Sequence, residues 1–287
     1  MKKLIASVSA GIAALVLASS AIAAPHHPTG EFAQFGDCPL SQPAVTDCIY
    51  QVITGGSVSI GKRIVPIKNP ITFQGGFGGG GSEISFFGAE DGNTISRTPQ
   101  PVPGGLFGIN APSWWPKSAQ EKFNNAIDNG FTGVTATVEL AAPATAIKLN
   151  TENFLLQEGV AFQMPVKVKL DNRLLGSNCY VGSNSNPMVL KLTSGTTAPP
   201  PPNTPISGSV GELSFNESFT LITIKGARIV DNSFAVPKAS GCGGLLSPFI
   251  DPLVNSLLGT PLPAGRNSSS FDMTYQDAPA SVVRASE

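Results

Sequence analysis

Apolar and polar residues alternate with a period of two in several short segments of this chain. The clearest are residues 134–140 and 166–170, where Val, Ala and Leu alternate with Thr, Glu and Lys. This period places one apolar face inward and one polar face outward, as in a half-buried strand. Residues 219–224 are apolar on both faces, which predicts a strand at the centre of its sheet. Further strand candidates are 58–67, 147–149, 189–192, 213–215 and 228–230.

Two segments carry the signals of short helices instead. In residues 118–129, Ser118 and Glu121 have the spacing of a capping box, and Gly130 suits the C-terminal end. In residues 251–259, an Asp cap precedes a Pro at the first helical position, and a Gly follows the last turn. We expect both helices to be connections packed on the sheets.

Glycine and proline mark three irregular stretches. Residues 75–81 read GGFGGGG and predict a flexible loop, and residues 98–116 contain five prolines. Residues 196–205 include Pro199–Pro202 in an unbroken run, which predicts a polyproline II loop. The pattern as a whole predicts an all-β fold, an antiparallel β-sandwich or barrel-like structure with two short helices and long Gly/Pro-rich loops.

Composition narrows the classes of partner. Charged residues make up 13% of the 287 residues, against about 25% in an average globular protein, and the formal net charge is −1. No basic surface of the kind that follows a nucleic-acid backbone is expected, so nucleic-acid binding is not predicted. Hydrophobic residues at 41% are sufficient for a packed core.

The first 23 residues have the pattern of a cleaved secretory signal peptide. Lys2 and Lys3 precede an uncharged stretch of apolar and small residues, and the segment ends in Ala21-Ile22-Ala23. The apolar stretch is short for a membrane span, so we expect no transmembrane anchor after cleavage and a location outside the cell or at its surface. We predict a flexible N-terminal tail at 24–37, one secreted all-β domain at 38–280 with 196–205 as a loop, and a C-terminal tail at 281–287.

The predicted export determines how the cysteines are interpreted. The chain has four, Cys38, Cys48, Cys179 and Cys242. An even number in an exported chain indicates disulfides, and four cysteines allow three pairings. We favour Cys38–Cys48, which closes a short loop, and Cys179–Cys242, which ties the middle of the chain to a Gly-rich turn. No C-x₂-C spacing is present, so neither a metal site nor a cofactor is predicted.

Histidine is nearly missing from the sequence. The two histidines, His26 and His27, lie beside the predicted cleavage site. The rest of the chain therefore cannot use Ser-His-Asp or Cys-His catalysis or bind zinc through histidine. The carboxylates are scattered without a distinguishing pattern, so the sequence favours a protein that is not an enzyme and leaves the question open.

Aromatic residues near the irregular stretches supply a candidate binding surface. Trp114 and Trp115 are adjacent, and Phe77 lies within the Gly-rich segment. Paired aromatic rings can form a platform for a sugar or a peptide. The competing interpretation is that the tryptophans pack in the core or cover a sheet edge.

Four segments carry a resemblance to a family of exported actinobacterial proteins to which no activity is assigned. They read CPLSQPAVTDCIYQVITGGSVSIGKRIVP from residue 38, DNRLLGSNCYVGSNSNPMVLKL from 171, TTAPPPPNTPISG from 196 and IVDNSFAVPKASGCGGLLSPFIDPLVNSLL from 229. The resemblance implies export and two disulfides, and it adds no mechanism.

Three functions remain open at this point. The first is an exported, non-enzymatic protein of the cell envelope or medium with a structural or binding role, whose partner is a cell-wall component or an extracellular protein or polysaccharide. The second is a carboxylate-dependent polysaccharide hydrolase, which needs two suitably spaced carboxyl groups. The third is an inhibitor of an extracellular protease, with the loop between Cys38 and Cys48 as its candidate binding loop.

Overall fold

The computed structural model describes residues 27–79 and 84–287, and the predicted signal peptide at 1–23 lies outside them. The described residues are mostly strands. The strands are β1 (Asp47–Ile60), β2 (Arg63–Pro66), β3 (Ile71–Gly78), β4 (Ser85–Gly88), β5 (Gln100–Val102), β6 (Val134–Leu140), β7 (Lys148–Leu149), β8 (Phe162–Asp171), β9 (Tyr180–Val181), β10 (Met188–Leu192), β11 (Glu212–Phe215), β12 (Ile222–Asp231), β13 (Ala239–Ser240) and β14 (Ser268–Pro279).

The first sheet is organised around the long strand β1. Its strand order is β11-β12-β14-β1-β3-β4, with β2 also paired to β1, and every pair is antiparallel. One edge of β1 pairs with β14 along its whole length, while the other edge pairs first with β3 and then with β2. The register shifts between Ile53 and Gly55. Gly56 follows with φ +96°, and a Cβ there would collide with the Ser270 carbonyl oxygen.

The second sheet is organised around β8. Its strand order is β13-β9-β8-β6-β5, and β7 and β10 also pair with β8. The two sheets face each other across one hydrophobic core, where Phe73 of β3 meets Phe162 of β8 edge-on at 6.1 Å between ring centroids. Two backbone hydrogen bonds between Thr193 and Val230 join the sheets along one side. The predicted all-β sandwich is confirmed.

The strand prediction at 219–224 is wrong at its start. Phe219 has φ +56°, lies outside the sheet and is exposed, and the strand begins at Ile222. Asn216 accounts for this difference, because its side-chain oxygen accepts hydrogen bonds from the backbone N–H groups of Thr220 and Leu221 and holds a turn there. The strand that follows, β12, does lie inside its sheet, between β11 and β14.

Helices connect the strands and cover the sheets. The α-helices of the described residues are α1 (Lys117–Asp128), α2 (Thr151–Leu156), α3 (Ser247–Leu258) and α4 (Ala280–Ala285). The predicted helix at 118–129 is present as α1, but Pro116 precedes it and no side chain caps it. The second predicted helix begins four residues earlier than expected, and Pro252 lies inside it. Asp251 does not cap that helix, because its carboxylate accepts hydrogen bonds from the backbone N–H groups of Gly241 and Cys242.

Both predicted tails are folded in the described part of the chain. Residues 30–35, expected to be a flexible tail, form a 3₁₀ helix whose Phe32 and Phe35 side chains are buried. The expected C-terminal tail contains most of α4, and Val283 is fully buried. These side chains form a second core with Leu221 and Ala278, so the hydrophobic effect holds both ends of the described chain on the sandwich.

The glycines of residues 75–78 are part of strand β3, so the prediction of a flexible loop there is wrong. A Cβ at Gly76 would collide with the Val45 side chain, and one at Gly78 would collide with the Ala44 carbonyl oxygen. These glycines therefore permit close approach of neighbouring chain segments. Residues 80–83 of the same stretch lie outside the described residues.

The two favoured disulfides are confirmed. Cys38–Cys48 lies within the second core, and Cys179–Cys242 lies in the main core. The Pro-rich loop at 196–205 folds back onto the sandwich, since the Asn203 side chain donates hydrogen bonds to the Asn232 and Asn267 carbonyl oxygens.

Candidate functional site

A cavity of about 130 Å³ lies between the two sheets, and we call it the main cavity. Its wall is almost entirely aliphatic and aromatic, with contributions from both sheets. Representative lining residues are Ile53, Phe73, Val166, Leu190 and Phe271. Protein cores are normally packed as densely as organic crystals, so an apolar space of this size is a feature that needs an explanation.

A second cavity of about 60 Å³ lies next to the main cavity, and we call it the end cavity. The two share Ile60, Val65, Ala136 and Val168 in their walls. The end cavity continues toward α3 and the loop that follows β5, where Leu106, Leu175 and Val254 line it. The two cavities are thus adjacent, with these four side chains between them, and we call the pair the apolar tract.

Gln51 places an unpaired amide in the wall of the main cavity. Its side chain is 3% exposed, and its Nε2 has no hydrogen-bond partner among the described residues. Gln100 lines the same cavity, but it accepts from the backbone N–H groups of Lys68 and Asn69 and donates to the Asn69 carbonyl oxygen. A buried donor without a partner costs about 1–3 kcal/mol, so Gln51 is retained in the core at a cost in stability.

Arg63 lies in the wall of the end cavity. Its Nη2 donates to the Leu106 carbonyl oxygen at 3.1 Å, and its guanidinium packs so closely under Gly108 that a Cβ there would collide with Nη1. Burial lowers the pKa of Arg63 from its ordinary value, although a guanidinium remains charged. Within the described ranges no carboxylate forms an ion pair with it.

Large apolar side chains are exposed at the end of the sandwich above the end cavity. We call this surface the apolar end, and it consists of Phe107, Ile109, Trp114, Phe131, Leu174, Leu245, Leu246, Phe249 and Leu253. Hydrogen bonds connect the loops that carry them: Leu106 N–H to the Thr132 carbonyl, the Asn172 amide to the Phe131 carbonyl, and Gly243 N–H to the Leu175 carbonyl. The nine side chains therefore lie on neighbouring segments: the connection between β5 and β6, the loop after β8, and residues 245–253, which include part of α3.

The structure brings two of the three predicted binding residues together. Trp114 is 82% exposed, and its ring meets that of Trp115 edge-on at 6.0 Å. Trp115 is half-buried and packs in the same way on Phe123 of α1 at 5.6 Å. Phe77 is a correction: it is buried in the main core opposite Phe86 in the β3–β4 pair, so it takes no part in a surface with the tryptophans.

Two carboxylate side chains, Glu139 and Asp277, are the candidates for hydrolytic chemistry. A polar depression of about 350 Å³ is lined by Arg97, Glu139 and Lys167, and Glu139 is its one lining carboxylate. Its Oε2 lies 3.7 Å from Lys167 Nζ. Asp277 on β14 is the more perturbed group, since burial and then the charge of Asp47 raise its pKa to about 7. Asp277 accepts from Tyr275 Oη at 3.1 Å, and it lines none of these cavities.

Across residues 27–79 and 84–287, no three His, Cys, Asp or Glu side chains come together as metal ligands. The helices of those residues include none with the length and apolar character that crossing a membrane requires. Comparison with protein families, with curated proteins and with solved structures finds no match to this chain.

Replacing Asp277 with Asn tests the perturbed carboxyl. Because the folded pKa of about 7 lies above the ordinary value of 3.8, folding favours the protonated form. Its contribution to stability is full below about pH 4 and is lost as the pH rises through 7, a fall of about 4 kcal/mol. We expect urea unfolding between pH 4 and 8 to show this fall in the parent chain and not in Asp277→Asn. Asp272→Asn, at a half-buried position on the same strand, is the control and should leave the fall in place.

Replacing Gln51 with Leu tests the unpaired amide. Removing a buried donor that has no partner should raise the free energy of unfolding by about 1–3 kcal/mol. Gln100→Leu is the matched control in the same cavity, and it should lower stability because it breaks several hydrogen bonds. A Gln51→Leu variant that is less stable than the parent would show that the Gln51 amide is satisfied in the folded protein.

Proposed function

We propose that this chain is an exported, non-enzymatic binding protein that holds an apolar small molecule between its two sheets. The observation that carries the proposal is the main cavity with the unpaired Gln51 amide in its wall. Small-molecule sites are concave and mostly apolar, with a few polar groups that fix the orientation of the ligand. Gln51 is such a group, and it calls for a hydrogen-bond acceptor on the ligand.

The size of the main cavity favours a ligand site over an ordinary packing defect. Apolar cavities of about 150 Å³ stay free of water and bind molecules the size of benzene. The main cavity at about 130 Å³ is of that order, and the end cavity extends it. An elongated apolar molecule fits this tract better than a compact one.

Export is supported by the disulfides. Both bonds are buried in hydrophobic cores, and structural disulfides persist in oxidising compartments. The signal-like residues 1–23 and the resemblance to exported actinobacterial proteins point the same way. Under this proposal, the ligand is met outside the cytoplasm, at the cell envelope or in the medium.

The two alternative functions have less support. The polar depression supplies one carboxylate, already beside Lys167, whereas glycoside hydrolysis uses a pair. The loop between Cys38 and Cys48 has its Leu40 and Val45 side chains buried in the second core. The backbone N–H groups of Gln42 and Val45 donate to carbonyl oxygens within that loop, so it is folded on itself and does not present an extended strand to a protease.

Filling the cavity tests the proposal. Ala136 lines both cavities, so Ala136→Phe should occupy the narrow region between them. We expect the uncharged fluorophore N-phenyl-1-naphthylamine to bind the parent chain in a saturable way, and to bind Ala136→Phe at least about tenfold more weakly. Fluorescence titration measures both. Val189→Phe, on an exposed position of β10, adds similar bulk outside the cavity and should leave binding unchanged.

Circular dichroism and thiol titration of each variant establish that the sandwich and its disulfides are intact. Absence of saturable binding to the parent chain would reject the proposal. Equal binding to Ala136→Phe and the parent chain would place the bound molecule outside the cavity and would also reject it.

A further inference from the structure

We propose that the ligand is a long-chain amphiphile whose anionic head group is bound by Arg63, with its alkyl chain in the apolar tract between the sheets. This inference rests on the proposed function, and it names the chemical class of the ligand. The acid group could be a carboxylate or a phosphate, since a guanidinium binds both.

The position of Arg63 carries the argument. Its guanidinium is held by one hydrogen bond to the Leu106 carbonyl and by the backbone around Gly108, and the side chain lines the end cavity. A guanidinium has five N–H donors, so donors remain for a ligand. A partly buried cation with no ion-pair partner in the described ranges, beside an apolar cavity, favours an anion attached to an apolar chain.

The neighbouring carboxylates are already engaged. The Asp128 side chain accepts from Gly104 N–H at 2.8 Å, and Asp251 accepts from the N–H groups of Gly241 and Cys242. Lys62, next in sequence to Arg63, is exposed. Backbone amides therefore hold both carboxylates and neither pairs with Arg63, which leaves guanidinium donors for an anionic head group.

The distance between the two polar groups indicates a long chain. Arg63 lies opposite Ile60 in the β1–β2 pair, and Gln51 is nine residues earlier on β1. Nine residues of extended strand span about 30 Å. A compact ligand bound at Arg63 cannot fill this length, whereas a long alkyl chain can extend from Arg63 toward Gln51. An oxygen on the far part of that chain would accept from the Gln51 amide.

Competition among three 16-carbon amphiphiles tests this inference. Hexadecanoate, hexadecanol and hexadecyltrimethylammonium share a chain and differ in head-group charge, and each can displace N-phenyl-1-naphthylamine below its micelle concentration. We expect the parent chain to bind hexadecanoate about 10- to 100-fold more tightly than hexadecanol, as for a hydrogen bond between charged groups, and the ammonium compound most weakly.

The same binding measurements on variants of Arg63 provide a second test. Arg63→Gln should lose the preference for hexadecanoate and keep its affinity for hexadecanol, and Arg63→Lys should retain part of the preference. Arg173→Gln, which removes an exposed arginine at the same end, is the control and should change neither affinity.

The outcomes separate the inference from the proposed function. Equal binding of hexadecanoate and hexadecanol to the parent chain would overturn the role of Arg63 and leave the apolar binding function standing. Failure of every amphiphile and of the fluorophore to bind would overturn both. The comparison of head groups on the parent chain stands even if an Arg63 variant does not fold.

A separate observation concerns the apolar end, and from it we infer that this surface docks on an anionic lipid membrane. Nine large apolar side chains are exposed there, and among them Leu245 is fully exposed and Phe249 is 76% exposed. Monomeric proteins seldom expose so many large apolar residues on neighbouring segments without a partner for them.

Two observations favour a lipid surface as that partner: basic side chains near the apolar end, and the position of the apolar end directly beside the end cavity. Three basic side chains, Lys117, Lys122 and Arg173, are exposed on the segments that carry the apolar end, against one exposed carboxylate, Glu121. Aromatic and leucine side chains flanked by lysine and arginine suit the interface of an anionic bilayer. Leu106, Leu175 and Val254 of the end cavity are next in sequence to Phe107, Leu174 and Leu253 of the apolar end, so the docked surface lies directly above the apolar tract.

Vesicle flotation tests the docking surface. We expect the parent chain to float with vesicles of phosphatidylcholine and phosphatidylglycerol and to bind more weakly to pure phosphatidylcholine. The double variant Leu246→Ser/Phe249→Ser should reduce the bound fraction at least about tenfold, because it removes two large apolar side chains from the surface that enters the bilayer. The control Leu213→Ser/Phe215→Ser removes exposed apolar residues from β11 and should bind as the parent does.

Two results would overturn this docking inference. One is a parent chain that does not float with anionic vesicles. The other is a dimer, detected by light scattering, that Leu246→Ser/Phe249→Ser dissociates while vesicle binding is absent or unchanged. That result would assign the apolar end to a second copy of the chain.

Discussion

The pairing of β1 with β14 is the interaction on which the rest of the structure depends. It runs the whole length of β1 and leaves the other edge of that strand to β3 and then to β2. The change of partner follows the register shift at Ile53 and Gly55. One strand thus carries Gln51 into the main cavity and, through β2, holds Arg63 beside the end cavity.

In the apolar tract, the proposed binding function and the stability of the sandwich oppose each other. A close-packed core without Gln51 would be more stable, because neither an empty space nor an unpaired amide would remain. Functional sites are where proteins retain such costs. Arg63 at the other end of the tract has the same character, a partly buried charge without an ion-pair partner in the described ranges.

The sequence predicted the fold better than the site. Alternation at 134–140 identified β6, and the cysteine count together with the predicted export led to the two favoured disulfides. Single-residue signals were less reliable. The glycines of β3 predicted a flexible loop, whereas they allow neighbouring chain segments to approach the strand closely. Both ends were predicted to be tails, whereas the buried Phe32 and Val283 side chains hold them on a second core. Gln51 was missed because its meaning depends on the empty space beside it, which no local pattern encodes. The sequence offers one indication: Gln51 is a polar residue at a position that shares the inward face of β1 with Ile49 and Ile53.

A crystal structure of the protein with hexadecanoate brominated at its terminal carbon tests the central claim most directly. Anomalous scattering locates the bromine, and electron density locates the carboxylate. We expect the bromine in the main cavity, between Phe73 of one sheet and Val166 of the other, with the carboxylate at Arg63. Bromine found only on the outer surface, with the tract between the sheets unchanged, would contradict it.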